Sequence, residues 1–453
     1  MRRLFISLML FFPLLGIAQS LKGTWSGKLN FGPSSLSVVL HINQDKDGKY
    51  QCLFDSPDQG AKGIPARIAF LSEDSLSVNI MSLVASYQGK LKDGELRGKF
   101  SQMGTSLDLS LVPGEIQLNR PQTPKPPFDY LTEEVTFTNA EDKAVLVGTL
   151  TYPLGYELKA KKRVPVVIMV SGSGLQNRDE ELFHHQPFLV IADYLAKHGI
   201  ASLRYDDRGV GQSKGDVANA TTYHYMKDAL AGIDYLRSLN KFGKVGIIGH
   251  SEGGTISFML AGDKKVDFVA SLAGTSVKGD VVLYEQNKAI LLGAAVPEDV
   301  VNDYCNTLKG LLQYTVDHPQ IDQPETVVAK IVEESHAQLP EVMKSNLVAV
   351  LQTMNPWMRY FVGYDPLDAI KRIKCPVFAV NGSKDQQVIA ATNLEALQKN
   401  LPKNKWHYIH EYPDLNHLFQ HCSTGSAAEY ETIEETFSME VLKDLAEWIS
   451  KIQ

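Results

Sequence analysis

A serine between glycines lies where an apolar strand gives way to a helix. Residues 249–254 read Gly-His-Ser-Glu-Gly-Gly, after the apolar run 245–248 and before residues with helical periodicity. In a Gly-x-Ser-x-Gly turn only small residues fit beside the serine, whose strained backbone projects the hydroxyl above the sheet. The pattern predicts that Ser251 is a nucleophile, and the alternative is a tight turn with a purely structural role.

A serine hydroxyl needs a base, normally a histidine that a carboxylate orients. When the serine occupies such a turn, the chain order is serine, acid, histidine. Asp385 follows the apolar run 376–380, and His417 lies between the last predicted strand, 406–411, and the final helix. We therefore predict Asp385 as the acid and His417 as the base, with His421 as the rival base.

Attack of such a serine on a carbonyl carbon turns the carbonyl oxygen into an oxyanion. Backbone N–H groups are needed to stabilise it. Residues 171–179, Ser-Gly-Ser-Gly-Leu-Gln-Asn-Arg-Asp, follow the predicted strand 164–170, and their glycines permit close approach to a carbonyl. We expect the N–H of Ser173 or Gly174 to act with that of Glu252, at the start of the helix. The charged segment 204–213 is expected to pin the loop beneath the nucleophile, with contact to substrate as the alternative.

The elements that position these residues alternate between apolar strands and amphipathic helices from about residue 130. This alternation predicts an α/β domain, residues 130–453, with a mostly parallel sheet of eight strands. Residues 281–360 break the alternation with successive helical patterns, which predicts a helical cap over the substrate pocket. The pocket candidates are Leu175, Gln176, Trp357 and Tyr360, and core packing is the alternative for the two aromatic residues.

In the residues before this domain, apolar and polar side chains alternate with the two-residue period of β-strands. Residues 23–111 alternate between apolar and polar types, with turn signals between seven or eight short runs. We predict an all-β N-terminal domain, 19–114, folded as a barrel or a sandwich. The proline-rich segment 115–129 is predicted to be a stiff linker.

The first residues have the pattern of a signal peptide. Arg2 and Arg3 precede an apolar run, 4–15, and small residues follow at 16–18. We predict a signal peptide over 1–18 with cleavage after Ala18. A membrane anchor is the alternative, but the run is shorter than the ~20 residues that span a bilayer. The expected location is therefore periplasmic or secreted, with no membrane span after the signal is removed.

Composition excludes several partners. The chain has 453 residues, 45 Lys and Arg, 52 Asp and Glu and a net charge of −7, which disfavours a nucleic-acid partner held by charge. Its 4 cysteines lack metal-ligand spacing, and no Gly-Lys-Ser/Thr or complete Gly-x-Gly-x-x-Gly motif occurs. We therefore expect neither a metal nor a nucleotide cofactor.

Six ordered segments together resemble a known family. Residues 171–179, 205–213, 249–254, 364–366, 381–388 and 416–419 look like those of secreted bacterial α/β-hydrolase esterases, which neighbour the serine aminopeptidase and prolyl-oligopeptidase hydrolases. The resemblance covers about residues 130–453. It implies the α/β-hydrolase fold, Ser251, Asp385 and His417 as the triad, and hydrolysis of a small-molecule carboxylic ester through an acyl-enzyme. Ser171 departs from the pattern, since relatives often have histidine there.

Two other functions stay open. An exo-acting serine peptidase needs an acidic anchor for the substrate's amino terminus, and Glu333, Glu334 or Glu341 is a candidate. A non-catalytic protein would use the β domain to bind a glycan or a lipid. The sequence does not indicate the natural ester or the oligomeric state.

Overall fold

The computed structural model describes residues 21–31, 34–57, 61–102, 104–114, 118–156 and 163–453. The predicted signal peptide, 1–18, lies outside the described residues. The chain divides into two compact units, residues 1–117 and 118–453. The division falls within the segment predicted to be a linker.

The first unit is a closed barrel of eight antiparallel strands, each paired with the next along the chain. The strands are β1 (Gly23–Phe31), β2 (Ser34–Gln44), β3 (Tyr50–Ser56), β4 (Ala61–Leu71), β5 (Ser75–Ile80), β6 (Ala85–Lys92), β7 (Glu95–Gln102) and β8 (Thr105–Pro113). The first and last strands close the barrel, with Trp25 opposite Pro113. The barrel alternative of the prediction is therefore confirmed.

Alternation along the strands fills the barrel with side chains. In β5 the apolar residues Leu76, Val78 and Ile80 are buried, and the polar residues between them are only half-buried. Trp25 is also buried, and its Nε1 donates to the carbonyl of Leu21 at 2.9 Å. The interior of this small barrel is thus a hydrophobic core.

The second unit is built on a sheet of eight strands. They are β9 (Thr132–Thr138), β10 (Val145–Thr151), β11 (Val166–Val170), β12 (Ala201–Tyr205), β13 (Val245–His250), β14 (Phe268–Leu272), β15 (Val377–Gly382) and β16 (Tyr408–Tyr412). Their spatial order is β16-β15-β14-β13-β11-β12-β10-β9. Strands β9 and β10 pair antiparallel and the other six run parallel, so the predicted mostly parallel eight-stranded sheet is confirmed.

Helices cover both faces of this sheet. Those described are α1 (Pro187–Lys197), α2 (Thr222–Ser238), α3 (Glu252–Gly262), α4 (Gly279–Gly293), α5 (Glu298–Asp317), α6 (Pro324–Ser335), α7 (Glu341–Gln352), α8 (Pro356–Gly363), α9 (Leu367–Ile370), α10 (Ala390–Asn400) and α11 (Met439–Lys451). Helices α2 and α3 pack on one face, and α1 and α11 on the other. The central parallel strands read as continuous apolar runs because both of their faces are buried.

Helices α4 to α8 form a cap between β14 and β15. They share a hydrophobic core of their own, which includes Val301, Leu308, Leu347 and Val362. This arrangement agrees with the successive helical patterns of residues 281–360. Among the described residues, no helix is long and apolar enough to cross a membrane.

Candidate active site

Ser251 occupies a single-residue turn between β13, which ends at His250, and α3, which begins at Glu252. Its φ is +53° and its ψ is −118°, a combination that L-residues rarely adopt. Such strain persists only where the surrounding structure enforces it. The turn places the serine at the carboxyl edge of the sheet, which is where ligands of open α/β folds bind.

The flanking glycines allow this turn because backbone passes directly against them. A Cβ atom at Gly249 would lie 2.0 Å from the carbonyl oxygen of Gly253. One at Gly253 would lie 2.1 Å from the carbonyl oxygen of Val170, in the neighbouring strand. Neither contact is sterically possible, so the glycines of the motif are packing requirements of the turn.

The predicted acid and base lie together. His417 Nδ1 is 2.8 Å from Asp385 Oδ2, and the two side chains are 5% and 0% exposed. The other carboxylate oxygen of Asp385 accepts the backbone N–H groups of Gln387 and Val388, at 2.8 and 2.9 Å. Because Nδ1 is held by this fixed carboxylate, the basic nitrogen available for proton transfer is Nε2.

Ser251 and His417 line one cavity of about 300 Å³. The cap contributes an apolar wall, formed by Val282, Leu283, Trp357, Met358 and Phe361. Neutral amides, Gln176, Gln286 and Gln387, supply polar groups. Within the described part of the chain, neither the Ser251 hydroxyl nor His417 Nε2 has a hydrogen-bond partner in the protein, so both are available to a substrate.

The residues predicted to hold the oxyanion differ in position. Ser173 lines the cavity beside Gly172, whereas Gly174 and Glu252 do not, although Glu252 directly follows Ser251, which does. The N–H of Gly172 is already donated to Glu180 Oε1 at 2.8 Å. In the described residues, the backbone N–H groups of Ser173 and Glu252 meet no acceptor, which leaves these two donors for a substrate oxygen.

The carboxylate of Glu252, for which the sequence suggested no role, is buried, with 3% of the residue exposed. It accepts Ser173 Oγ at 2.8 Å, Thr222 Oγ1 at 2.6 Å and Trp357 Nε1 at 2.9 Å. Burial raises the pKa of Glu252, and these three hydrogen bonds oppose the rise. The side chain thus joins the loop 171–179, α2 and the cap helix α8 beside Ser251.

Two of the four predicted pocket residues line the cavity. Gln176 and Trp357 do so, but Leu175 and Tyr360 do not. Leu175 is 48% exposed to solvent, and the Tyr360 ring stacks on Tyr364 with 5.7 Å between ring centroids. Sequence spacing does not specify which way each side chain points.

The charged segment after β12 supports the loop 171–179 from outside the cavity. Asp206 accepts the guanidinium of Arg178 at 2.6 Å and its backbone N–H at 2.8 Å. Asp207 accepts the N–H of Gln176 at 2.9 Å, and burial raises the pKa of Asp207 to about 8. These contacts correspond to the pinning role that was expected for residues 204–213.

The remaining candidates lie elsewhere. His421 is exposed and pairs with Glu435, Nδ1 to Oε2 at 2.8 Å, away from the cavity lining. Glu333, Glu334 and Glu341 are exposed on α6 and α7 and do not line the cavity either. Among the described residues, no group of three or more His, Cys, Asp or Glu side chains is arranged to hold a metal ion.

Several known proteins are similar to this chain in sequence or in fold. Esterase EstD of Thermotoga maritima is 24% identical over 368 residues, 80% of this chain and 75% of the relative. Among solved structures, the Pyrococcus furiosus esterase Pf2001 matches 75% of this chain and 98% of its own, with 16% identity and a TM-score of 0.43. A proline iminopeptidase of Mycobacterium smegmatis matches 71% and 98%, with 14% identity and a TM-score of 0.42.

A family model decides the classification. The model of the X-Pro dipeptidyl-peptidase (S15 family) matches residues 142–419, which is more than half of the chain and includes Ser251, Asp385 and His417. The sheet, the cap and the serine turn lie in the same unit of the structure as this match. The chain therefore belongs to the S15 family of X-Pro dipeptidyl-peptidases, as a hydrolase with the α/β-hydrolase fold.

Proposed function

We propose that this chain is a serine hydrolase that cleaves carboxylic esters through Ser251, His417 and Asp385. One observation carries the proposal. A serine held at a φ of +53° shares a cavity with an imidazole whose Nδ1 is fixed by a buried carboxylate. Strained serine, oriented base and orienting acid are the three parts that acyl transfer to serine requires.

The chemistry follows from the free atoms of the site. His417 Nε2 takes the proton of the Ser251 hydroxyl as Oγ attacks the ester carbonyl carbon. The backbone N–H groups of Ser173 and Glu252 receive the carbonyl oxygen as it becomes an oxyanion. The alcohol leaves with the proton from His417. A water, deprotonated by the same nitrogen, then attacks the acyl carbon, and the acid is released as the Ser251 Oγ takes that proton back from His417.

The lining of the cavity indicates the class of ester. Its cap-side wall is apolar, and its glutamine side chains carry no charge. Of the lining residues that the structure describes, Glu180 is the one carboxylate, and His250 and the Gly172 N–H already occupy its Oε1. We therefore propose a small, uncharged ester with an apolar acyl group, related to the substrates that the name of Esterase EstD implies for that relative.

Removal of X-Pro dipeptides from peptides is the second candidate, and the family match favours it. That reaction needs an acceptor for the substrate's terminal ammonium group. Glu333, Glu334 and Glu341 are exposed outside the cavity, and Oε1 of Glu180 is already held by His250 and the Gly172 N–H. Ester hydrolysis needs no such anchor and is for this reason the preferred proposal.

The test compares substrates and removes the nucleophile. We expect the full chain to react with a fluorophosphonate probe and to hydrolyse 4-nitrophenyl acetate with a higher kcat/KM than alanyl-prolyl or alanyl 4-nitroanilide. Ser251→Ala should lose the label and at least about 10⁴-fold of the rate, with an unchanged circular-dichroism spectrum. Retained labelling in Ser251→Ala would refute the nucleophile, and faster cleavage of the alanyl-prolyl anilide would favour the peptidase.

Export is part of the same proposal. The basic, apolar and small-residue order of residues 1–18 supports a signal peptide, with Gln19 as the first mature residue. Mass spectrometry of the protein recovered from a bacterial periplasm should give a chain that begins at Gln19. A chain that keeps residues 1–18 in the cytoplasmic fraction would contradict export.

A further inference from the structure

His250 and Glu180 form a buried pair beside the nucleophile. His250 is the last residue of β13, directly before Ser251, and Glu180 lies in the loop between β11 and α1. Their side chains are 8% and 6% exposed, and His250 Nδ1 is 2.9 Å from Glu180 Oε1. Neither residue has a role in the chemistry proposed above.

Each ring nitrogen of His250 faces an acceptor. Nδ1 faces the Glu180 carboxylate, and Nε2 lies 3.0 Å from the backbone carbonyl oxygen of His417. A neutral imidazole has a single N–H, so it can donate to only one of these oxygens. Glu180 Oε1 also accepts the Gly172 N–H at 2.8 Å, and two donors at one oxygen favour the ionised carboxylate.

The surroundings support a charged ring. The titratable groups that face His250 are Glu180, Asp385 and the ring of His417, whose centroid is 4.6 Å away. Burial alone would lower the pKa of His250, but the charge and hydrogen bond of Glu180 outweigh it and the pKa is raised. The imidazolium thus has a carboxylate partner, as a buried charge requires.

The pair connects three segments of the site. Glu180 accepts the N–H of Gly172 and so holds the loop that carries Ser173. His250 directly precedes Ser251 in the chain, and its ring contacts the backbone carbonyl of His417, the proposed base. Resting on the proposed function, we propose that His250, as an imidazolium paired with Glu180, is a positioning residue that fixes the spacing between the oxyanion donors and the base. Neither side chain transfers a proton in the reaction.

The first test reads the charge of His250 directly. In protein labelled with ¹⁵N-histidine, both ring nitrogens of His250 should show N–H-type chemical shifts at about pH 7.5, where an ordinary histidine is mostly neutral. The resonances are assigned by their loss in His250→Gln and, where that variant does not fold, by their shift in Glu180→Gln. An unprotonated Nδ1 or Nε2 at this pH overturns the proposal.

The second test separates positioning from folding. Glu180→Gln should lower kcat for 4-nitrophenyl acetate roughly 10- to 100-fold, because small misplacements of reacting groups have effects of this size, with KM changed less than about threefold. The double variant with His250→Gln should be no worse than the poorer single variant. Additive losses, or a change confined to KM, would contradict a shared positioning role.

Glu181→Gln is the matched control. It makes the same chemical change in the same loop, but Glu181 accepts neutral amides, Asn177 Nδ2 at 3.3 Å and Gln186 Nε2 at 3.2 Å. Its kcat should stay within about twofold of the parent. Fluorophosphonate labelling of Ser251 reports the proposed function separately, since a chain that does not label can still show a protonated His250.

The contribution of the His250–Glu180 pair to stability should change with pH in a definite direction. Because the pKa of His250 is raised in the folded chain, the pair stabilises the fold fully below the unfolded pKa of ~6.5, and this stabilisation is lost as pH rises through the folded value. The difference in melting temperature between the parent and Glu180→Gln should therefore shrink at alkaline pH. A difference that grows with pH would overturn the assignment of charge.

Discussion

Two histidine–carboxylate pairs of equal length differ in what surrounds them. The distance from Nδ1 to the carboxylate oxygen is 2.8 Å both in His417–Asp385 and in His421–Glu435. The first pair is almost fully buried, whereas the His421 side chain is 61% exposed. An exposed pair contributes about 0–1 kcal/mol and is easily rearranged, so it fixes a ring poorly. Burial therefore distinguishes the proposed base from its rival.

The residue-scale prediction uses this contrast. Asp385→Asn should lower kcat for 4-nitrophenyl acetate by about 10³- to 10⁴-fold, because an amide no longer holds the tautomer in which Nε2 is the base. KM should change less than about threefold. Glu435→Gln, the matched change at the exposed pair, should leave kcat within about twofold, and steady-state kinetics of both variants measures this. A larger loss in Glu435→Gln would make His421 the base.

Local sequence signals predicted some residues of the site and missed others for a physical reason. Ser251 lies in a contiguous motif, and Asp385 and His417 follow strands, so short segments and their order made these three residues the candidates. Glu180 contacts His250 from 70 residues away, and Trp357 contacts Glu252 from 105 residues away. Contacts between residues so far apart in the sequence form only when the chain folds. The sequence around a glutamate in a polar loop does not indicate that its side chain is buried.

At the scale of elements, Glu252 joins the cap to the turn that carries Ser251. Trp357, near the start of α8, donates Nε1 to both oxygens of the Glu252 carboxylate, at 2.9 and 3.0 Å. Its ring stacks on Phe361 with 5.9 Å between centroids, and both rings line the cavity. The position of the apolar wall therefore depends on a buried carboxyl group at the first residue of α3.

The element-scale prediction removes this link. Trp357→Phe loses the N–H donor and part of the ring, so the cavity should widen and the ratio of kcat/KM for 4-nitrophenyl octanoate to that for the acetate should rise about fivefold. Loss of a partner from a buried polar group costs about 1–3 kcal/mol, so the melting temperature should fall by a few degrees.

Trp406→Phe serves as its control. The Trp406 side chain is 40% exposed and lies outside the cavity lining. The ratio of kcat/KM for the octanoate to that for the acetate should be the same in Trp406→Phe as in the parent. An unchanged profile in Trp357→Phe would show that the indole does not set the acyl preference.

At the scale of the whole molecule, the two units have separate hydrophobic cores. The barrel core draws its buried members from residues 21–111, and the two cores against the large sheet draw theirs from residues 135–452. Every residue assigned to the site lies in the second unit, 118–453. Each unit thus has what independent folding requires.

The whole-molecule prediction follows from this division. A chain of residues 118–453 should fold alone and hydrolyse 4-nitrophenyl acetate with a kcat/KM within about threefold of the full chain. Calorimetry of the full chain should show two transitions, one of which is absent from the shorter chain. A folded but inactive shorter chain would give the barrel a part in catalysis.

The sequence predicted the fold class but left the closure of the barrel undecided. Alternating apolar residues indicate a sheet with one buried face, and continuous apolar runs indicate a sheet buried on both faces. These two patterns were sufficient to predict the fold class of each unit. A barrel and a sandwich present the same alternation, and they differ in whether the first and last strands pair. That pairing, Trp25 with Pro113, joins opposite ends of the domain and leaves no trace in local periodicity.

The separate core of the cap has a consequence for how this enzyme diversifies. All the buried members of that core come from residues 301–362, and the helices leave the sheet after β14 and return before β15. Substitution, duplication or exchange of this stretch by recombination can therefore alter substrate range while the segments that carry Ser251, Asp385 and His417 are inherited unchanged. The cap is in this sense an exchangeable segment, except at Trp357, whose Nε1 donates to Glu252.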